Sequence, residues 1–312
     1  MSREFSERDW RILVQRVRDK KCTPFLGAGV AYGVLPLGGE IAKRLAEEYG
    51  YPMEDTSNLM AVSQYIAVRY DPLFVKEEIV RMFSGYGEPS FADPLEPHSL
   101  LADFPLPVYV TTNYDNFMTR ALELKNRDAK RVLCRWNPSV EDYAASHPTP
   151  FDADPQFEPT VANPVVFHMH GYSPVAESFV LTEDDYLEFL TNMSRGRLLP
   201  PLIERRLTGT SLLFIGYRLA DWNFRVLLRS LSQYNIRAFN VAVMPPPSAP
   251  KAGADGRPED PGAAEERRQK AQEYLTRYYE NIDVHVYWGS AREFLSELSR
   301  RVAAPDDPAG RA

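Results

Sequence analysis

The chain has 312 residues, is 44% hydrophobic and carries a formal net charge of −7, with a pI near 5.4. That length buries a large core, as one domain or as a domain with a substantial insertion, and the acidic balance excludes a general affinity for nucleic acid or anionic membrane. The two cysteines, Cys22 and Cys134, exclude a four-ligand zinc site of paired spacing and a disulfide framework, which fits a reducing cytosol.

The N-terminal stretch MSREFSERDWRILVQRVRDKK is charged throughout, lacks a secretory apolar core, and contains Ser6, Asp9, Trp10, Leu13 and Val17 in the pattern of a capped amphipathic helix. No run approaches the roughly 20 apolar residues of a membrane span, so a cytoplasmic protein is expected. CTPFLGAGV reads as a buried strand entering a glycine loop, and residues 39–50 as a helix with Ile41, Ala42 and Leu45 on one face. Residues 58–83 read as further helix, broken near Asp71-Pro72. PVYVTT is a β-rich strand ending in a polar turn, and NFMTRALELKN is a helix. Residues 137–163 are polar and proline-bearing and read mostly as loop. PVVFHMHG is another strand. LTEDDYLEFLTNMSR opens a helix with Thr182 as cap and Asp185 three residues on. LPPLIERRLTG is a short helix, SLLFIGY a fully buried strand, and LADWNFRVLLRSLSQY a helix opened by Asp221. AFNVAVMP is a strand stopped by prolines. The stretch at about 245–264 is rich in Pro, Gly and Ala and is expected to be a mobile loop. A helix, the strand IDVHVYW and a last helix follow, and residues 303–312 are expected to be a disordered tail.

Strands alternating with helices indicate a parallel sheet with helices on both faces. In such sheets the ligand crevice lies outside the carboxyl ends of the strands. Four strands here are followed by polar or glycine residues, GAG, TTNYD, HMHG and GYRLAD, which are expected to line one edge. Gly27 and Gly29 either make a tight strand-to-helix turn or let the backbone approach a pyrophosphate. A third glycine and an acidic partner are absent, which argues against hydride transfer. Asn113 is placed to hold a ribose hydroxyl or an attacking water, and Asp115 either orients it or caps the next helix. His168 and His170 share a face by strand periodicity. No third metal ligand stands near them; His170, at the strand's end, reaches the crevice as a candidate general base, while His168 lies deeper. The arginines at 131, 135, 205 and 206 form short clusters read as solvated surface.

Taken in order, FLGAGV, VTTNYD, FHMHG and LLFIGYRLAD resemble the sirtuin superfamily, and more narrowly its bacterial sirtuin-like NADase branch of anti-phage defence systems. The resemblance runs from about Cys22 to the last helix. It implies an α/β, Rossmann-like, doubly wound parallel sheet with a helical insertion and no zinc module. Residues 1–21 then form an N-terminal helix, and residues 22–302 an NAD-binding catalytic domain with the insertion at about 39–104.

The implied activity is cleavage of NAD, as substrate, to nicotinamide and ADP-ribose. By the same resemblance Gly27, Ala28, Gly29 and Val30 match the NAD phosphate loop. Asn113 and Asp115 match the surroundings of the nicotinamide ribose and the water, Thr112 falls among the NAD-binding residues, and His170 matches the catalytic histidine. Gly216 and Tyr217 match distal nucleotide contacts, and Asn240 a residue near the adenosine ribose. Ala31 stands where many relatives carry serine, and the zinc cysteines of the deacetylase sirtuins are absent, which weakens a deacylase reading. Mono-ADP-ribosyl transfer and a non-catalytic NAD or ADP-ribose sensor remain the other readings. A constitutive NADase would kill its host, so homo-oligomerisation and a separately encoded partner are expected, a HerA-type ATPase or an Argonaute-like protein.

Overall fold

The computed structural model describes residues 5–196, 198–217, 239–247 and 261–305. The helix expected to open at Asp221, most of the proline- and glycine-rich stretch and the end of the tail lie outside these residues. The described residues of that stretch correct its extent, because helix begins at Pro261.

Seven strands form one parallel sheet among the described residues: β1 (Cys22–Leu26), β2 (Val108–Thr111), β3 (Lys130–Leu133), β4 (Val165–His168), β5 (Ser211–Ile215), β6 (Asn240–Met244) and β7 (Val284–Trp288). Their order is β3-β4-β2-β1-β5-β6-β7. Register aligns the carboxyl ends: Leu26 pairs with Thr111 on one side and Ile215 on the other, and Thr111 pairs with His168. From β1 the chain passes to β2, on to the edge strand β3, and back to β4 between them, then crosses to β5 on the opposite flank of β1. That reversal is the topological switch at which such sheets open their ligand crevice.

Helices sort to the two faces by the alternation of strand side chains. Helices α1 (Glu7–Arg18), α5 (Pro97–Asp103), α6 (Phe117–Leu124) and the last helix, α12 (Ala291–Ala303), pack on the face carrying Leu26, Tyr109, Val166, Leu213 and Ile215. On the other face, α9 (Glu183–Ser194), α10 (Pro201–Gly209) and α11 (Pro261–Glu280) cover Phe25, Val110, Phe167 and Phe214. Each large side chain buried this way contributes about 1.5–3 kcal/mol.

Helices α2 (Gly38–Tyr49), α3 (Leu59–Arg69) and α4 (Pro72–Ser84) form a cluster of their own around Ile41, Leu45, Val62, Ile66, Val75 and Ile79. Asp71 breaks α3 from α4 because its carboxylate caps Phe74 N at 2.8 Å and Pro72 fits the first turn. The segment expected as a single insertion is thus divided, since α5 packs on the sheet and not in this cluster.

Two local readings are corrected. The stretch at 137–163 contains α7 (Pro138–Ser146) and α8 (Pro150–Ala153), each with proline in its first turn. The edge strand β3 was not legible, because KRVL is short and half polar, as edge strands commonly are. Among the described residues no helix is long and apolar enough to cross a membrane.

Candidate active site

The turns after β1, β2, β4 and β5 meet at the carboxyl edge of the sheet, as expected. Gly27 N–H donates to Ile215 O at 2.8 Å and Gly29 N–H to Gly216 O at 2.9 Å. A Cβ on Gly27 would stand 2.9 Å from Gly216 O and from the Tyr217 ring, and one on Gly29 would stand 2.9 Å from Gly216 Cα. Gly216 itself has φ +85°, a left-handed backbone that side chains rarely tolerate. This refines the expectation for the loop. The glycines serve the close approach of two turns, and the amides of Gly27 and Gly29 are spent on the end of β5 and on the Gly216 turn that follows it. Ala28, exposed at the start of a 3-10 turn over Ala28–Ala31, is the part of the loop that faces outward, while Val30 is buried.

The β2 turn is tied to this loop. Asn113 Nδ2 donates to Gly27 O at 3.1 Å, and Asn113 N–H to Thr111 Oγ1 at 3.0 Å. The hydroxyls of Thr112 and Tyr217 lie 2.8 Å apart, and the Tyr217 hydroxyl donates to Leu26 O at 3.0 Å. Asp115 accepts from Phe117 N at 2.9 Å, so one carboxylate oxygen opens α6 as an Asx turn. Burial raises the Asp115 pKa, partly offset by His98 and by the Phe117 bond, with Glu96 adding to the rise. His98 is itself buried, its Nδ1 2.7 Å from Glu96 Oε1.

The two histidines diverge, against the shared-face expectation. β4 ends at His168, and the chain turns at Gly171 with φ +112°. His168 lies edge-on to Tyr172 at 5.2 Å, whereas His170 meets the edges of Tyr186 at 5.5 Å and Phe189 at 5.0 Å, both on α9. Both are buried, and desolvation lowers each pKa to about 3; for His168 the charge of Arg131 adds to that effect. Both imidazoles are therefore neutral at neutral pH.

Asn240 is not brought to this edge. It begins β6, at the amino end of the sheet, where its Oδ1 accepts from Leu212 N at 2.9 Å. Its amide side chain cross-links β6 to β5, a role that a one-residue reading of AFNVAV did not reveal. Aromatic neighbours escaped the sequence reading too. Tyr114 stacks on Phe179 at 3.9 Å and 6°, and its hydroxyl donates to Val180 O at 2.9 Å. Only the helical spacing of Tyr186 and Phe189 after Thr182 signalled which face they occupy.

Comparison with known proteins adds the following. The chain is 26% identical over 208 residues to an NAD(+) hydrolase ThsA of Cytobacillus dafuensis, covering 65% of this chain and 36% of that protein. It is 25% identical over 220 residues to the NAD(+) hydrolase ThsA of Bacillus cereus strain MSX-D12, covering 69% of this chain and 40% of that protein. The chain thus spans about two fifths of the length of these curated relatives. A solved Sir2 enzyme structure aligns over 95% of this chain and 98% of its own at 13% identity, with a TM-score of 0.43. The family model described as a SIR2-like domain matches residues 107–278, more than half of the sequence, and the chain belongs to that family.

Proposed function

We propose that this chain is an NAD+ glycohydrolase that cleaves the bond between nicotinamide and ribose. The observation that carries the reading is that the Asn113 amide, bonded to the glycine turn, and the neutral, buried His170 stand on turns of the same sheet edge. Kinship with proteins named NAD(+) hydrolase supports it.

In this reading the exposed Ala28 turn faces the pyrophosphate, with Gly27, Gly29 and Val30 shaping the loop and Gly216 and Tyr217 closing its far side. As the C1′–N bond breaks, its electron pair stays with nicotinamide and positive charge grows on the ribose. A protonated imidazole would repel that charge, whereas the neutral His170 ring does not. Asn113 positions a water whose oxygen bonds to C1′, and His170 takes the proton from that water or from a ribose hydroxyl and returns it to solvent. General-base assistance supplies about 100- to 10,000-fold from a base matched to the working pH; a ring whose pKa is held at about 3 accepts a proton less readily, so its share lies at the low end of that range. The free oxygen of Asp115 holds the ribose edge.

Purified protein is incubated with NAD, and nicotinamide and ADP-ribose are followed by liquid chromatography alongside His170→Ala and Asn113→Ala. Release by wild type alone is the expected outcome. Full activity in either variant overturns the residue assignment, and label from NAD retained on protein marks ribosyl transfer instead. The biological role that fits is NAD depletion by a cytoplasmic effector of anti-phage defence. It is restrained by homo-oligomerisation and by a separately encoded HerA-type ATPase or Argonaute-like partner. Light scattering that finds only monomer, and NAD turnover unaffected by such partners, would count against this regulation.

A further inference from the structure

The buried ion pair between Lys76 and Asp185 joins the helical cluster to α9, the helix whose rings flank His170. Lys76 Nζ lies 2.8 Å from Asp185 Oδ1, with side-chain exposures of 7% and 11%. The same ammonium stands 5.2 Å from the centre of the Trp136 ring. A buried ammonium is costly unless its charge is met on several sides, and here a carboxylate and an aromatic face meet it. Asp185 is equally committed, since its other oxygen accepts from Leu181 N and Thr182 N, each at 3.0 Å.

From there a continuous set of contacts reaches the histidine. Trp136 Nε1 donates to Ser178 O at 2.8 Å, and Ser178 Oγ accepts from Tyr172 N at 2.9 Å. Val180 N donates to His170 O at 2.9 Å, while Val180 O is held by the Tyr114 hydroxyl. Residues 178–182 are therefore clasped between the β2 turn, the β4 turn and α9. One residue beyond Asp185, α9 presents Tyr186 and then Phe189, the two rings that seat the His170 imidazole.

We propose that Lys76 is a positioning residue for His170: through Asp185 it fixes the first turn of α9 and the strap at 178–182, and these hold the imidazole at the site. This rests on the NAD-cleaving reading for its effect on turnover, but the positioning itself is read without activity. Lys76 touches no reacting atom, and it belongs to a helix of a separate hydrophobic cluster, so the docking of that cluster and the pose of His170 are one event.

The test uses the whole chain with ¹⁵N,¹³C-histidine labelling, the five histidines giving few signals and His170→Gln identifying the one in question. Lys76→Met and the isosteric Asp185→Asn are expected to move the His170 imidazole resonances while those of His285, on the edge strand β7 at the other side of the sheet, stay in place. The double variant, with neither charge left behind, is expected to fold and to shift them as well. In NAD cleavage, Lys76→Met is expected to lower kcat by about 10- to 100-fold, as for a displaced catalytic group, with KM little changed. His170 signals that stay unmoved in every folded variant overturn the proposal. Absence of turnover in wild type overturns the NAD reading instead, and leaves the resonance shifts to decide the positioning.

Discussion

The side-chain amide of Asn113 donates to the carbonyl of Gly27 across 3.1 Å, binding the turn after β2 to the turn after β1. Two loops separated by 86 positions in sequence are thereby fixed as one surface. Asn113→Asp keeps the shape but sets a carboxylate oxygen against that carbonyl, and Asn113→Ala leaves the carbonyl without this donor. Both are expected to lower NAD cleavage by about 100-fold, the cost of misplacing a positioned group, as measured by nicotinamide release.

Gly216 and Gly209 make opposite predictions. A Cβ on Gly216 would press into Val30 N and stand 2.5 Å from Gly27 O, at a φ of +85°. Gly216→Ala is therefore expected to destabilise by more than about 1 kcal/mol and to disrupt the site. A Cβ at Gly209, exposed at the end of α10, meets nothing within 4 Å. Gly209→Ala is expected to stabilise by about 0.4–1 kcal/mol. Thermal melts of the two variants check the pair.

Arg127 donates to the carbonyls of Val161, Ala102, Phe104 and Leu106 and to the Tyr109 hydroxyl, all from a buried guanidinium. No other side chain presents enough donors in one plane. Arg127→Met is expected to cost about 3 kcal/mol or more, from several buried acceptors left unpaired, and Arg127→Lys is expected to recover only part. Urea unfolding at constant m-value measures both.

Acid stability follows from the two neutral histidines. Their folded pKa values, about 3, lie below the unfolded value near 6.5, so the unfolded chain binds more protons between those limits. Stability from this source is complete above about pH 6.5 and falls as the pH drops, by up to about 1.4 kcal/mol per pH unit for each ring. Asp115 runs the other way. Its raised pKa favours the folded state at low pH, and that contribution is lost as pH rises past the ordinary aspartate value. His170→Gln is expected to flatten the slope between pH 4 and 6.5, and denaturant midpoints across that range read it.

Much of the frame was legible because its signals are local. The Asp71-Pro72 break, the Ser6–Asp9 and Thr182–Asp185 capping boxes, and the apolar strands ending in GAG, TTNYD, HMHG and GY each lie within a few residues of one another. Backbone hydrogen bonding and side-chain periodicity act at that range, so the local order of residues places these elements and their ends.

Other features were set by contacts between distant segments. Strand period put His168 and His170 on one face, but the strand stops at His168 and the turn at Gly171 sends His170 to α9. Asn240 looked like a ligand contact until the parallel register put it at the amino end of β6. The amides of Gly27 and Gly29 seemed free for a phosphate until β5 packed beside β1 and its end, with the Gly216 turn, took them.

The sequence by itself determined the alternation of strands and helices, and with it a parallel sheet whose polar turns collect at one edge. Only the tertiary structure decided which of those turns touch, which histidine faces α9, and that Lys76 meets Asp185. Register and packing bring groups together across the chain, and burial then sets their charge; neither is a property of any short stretch of residues.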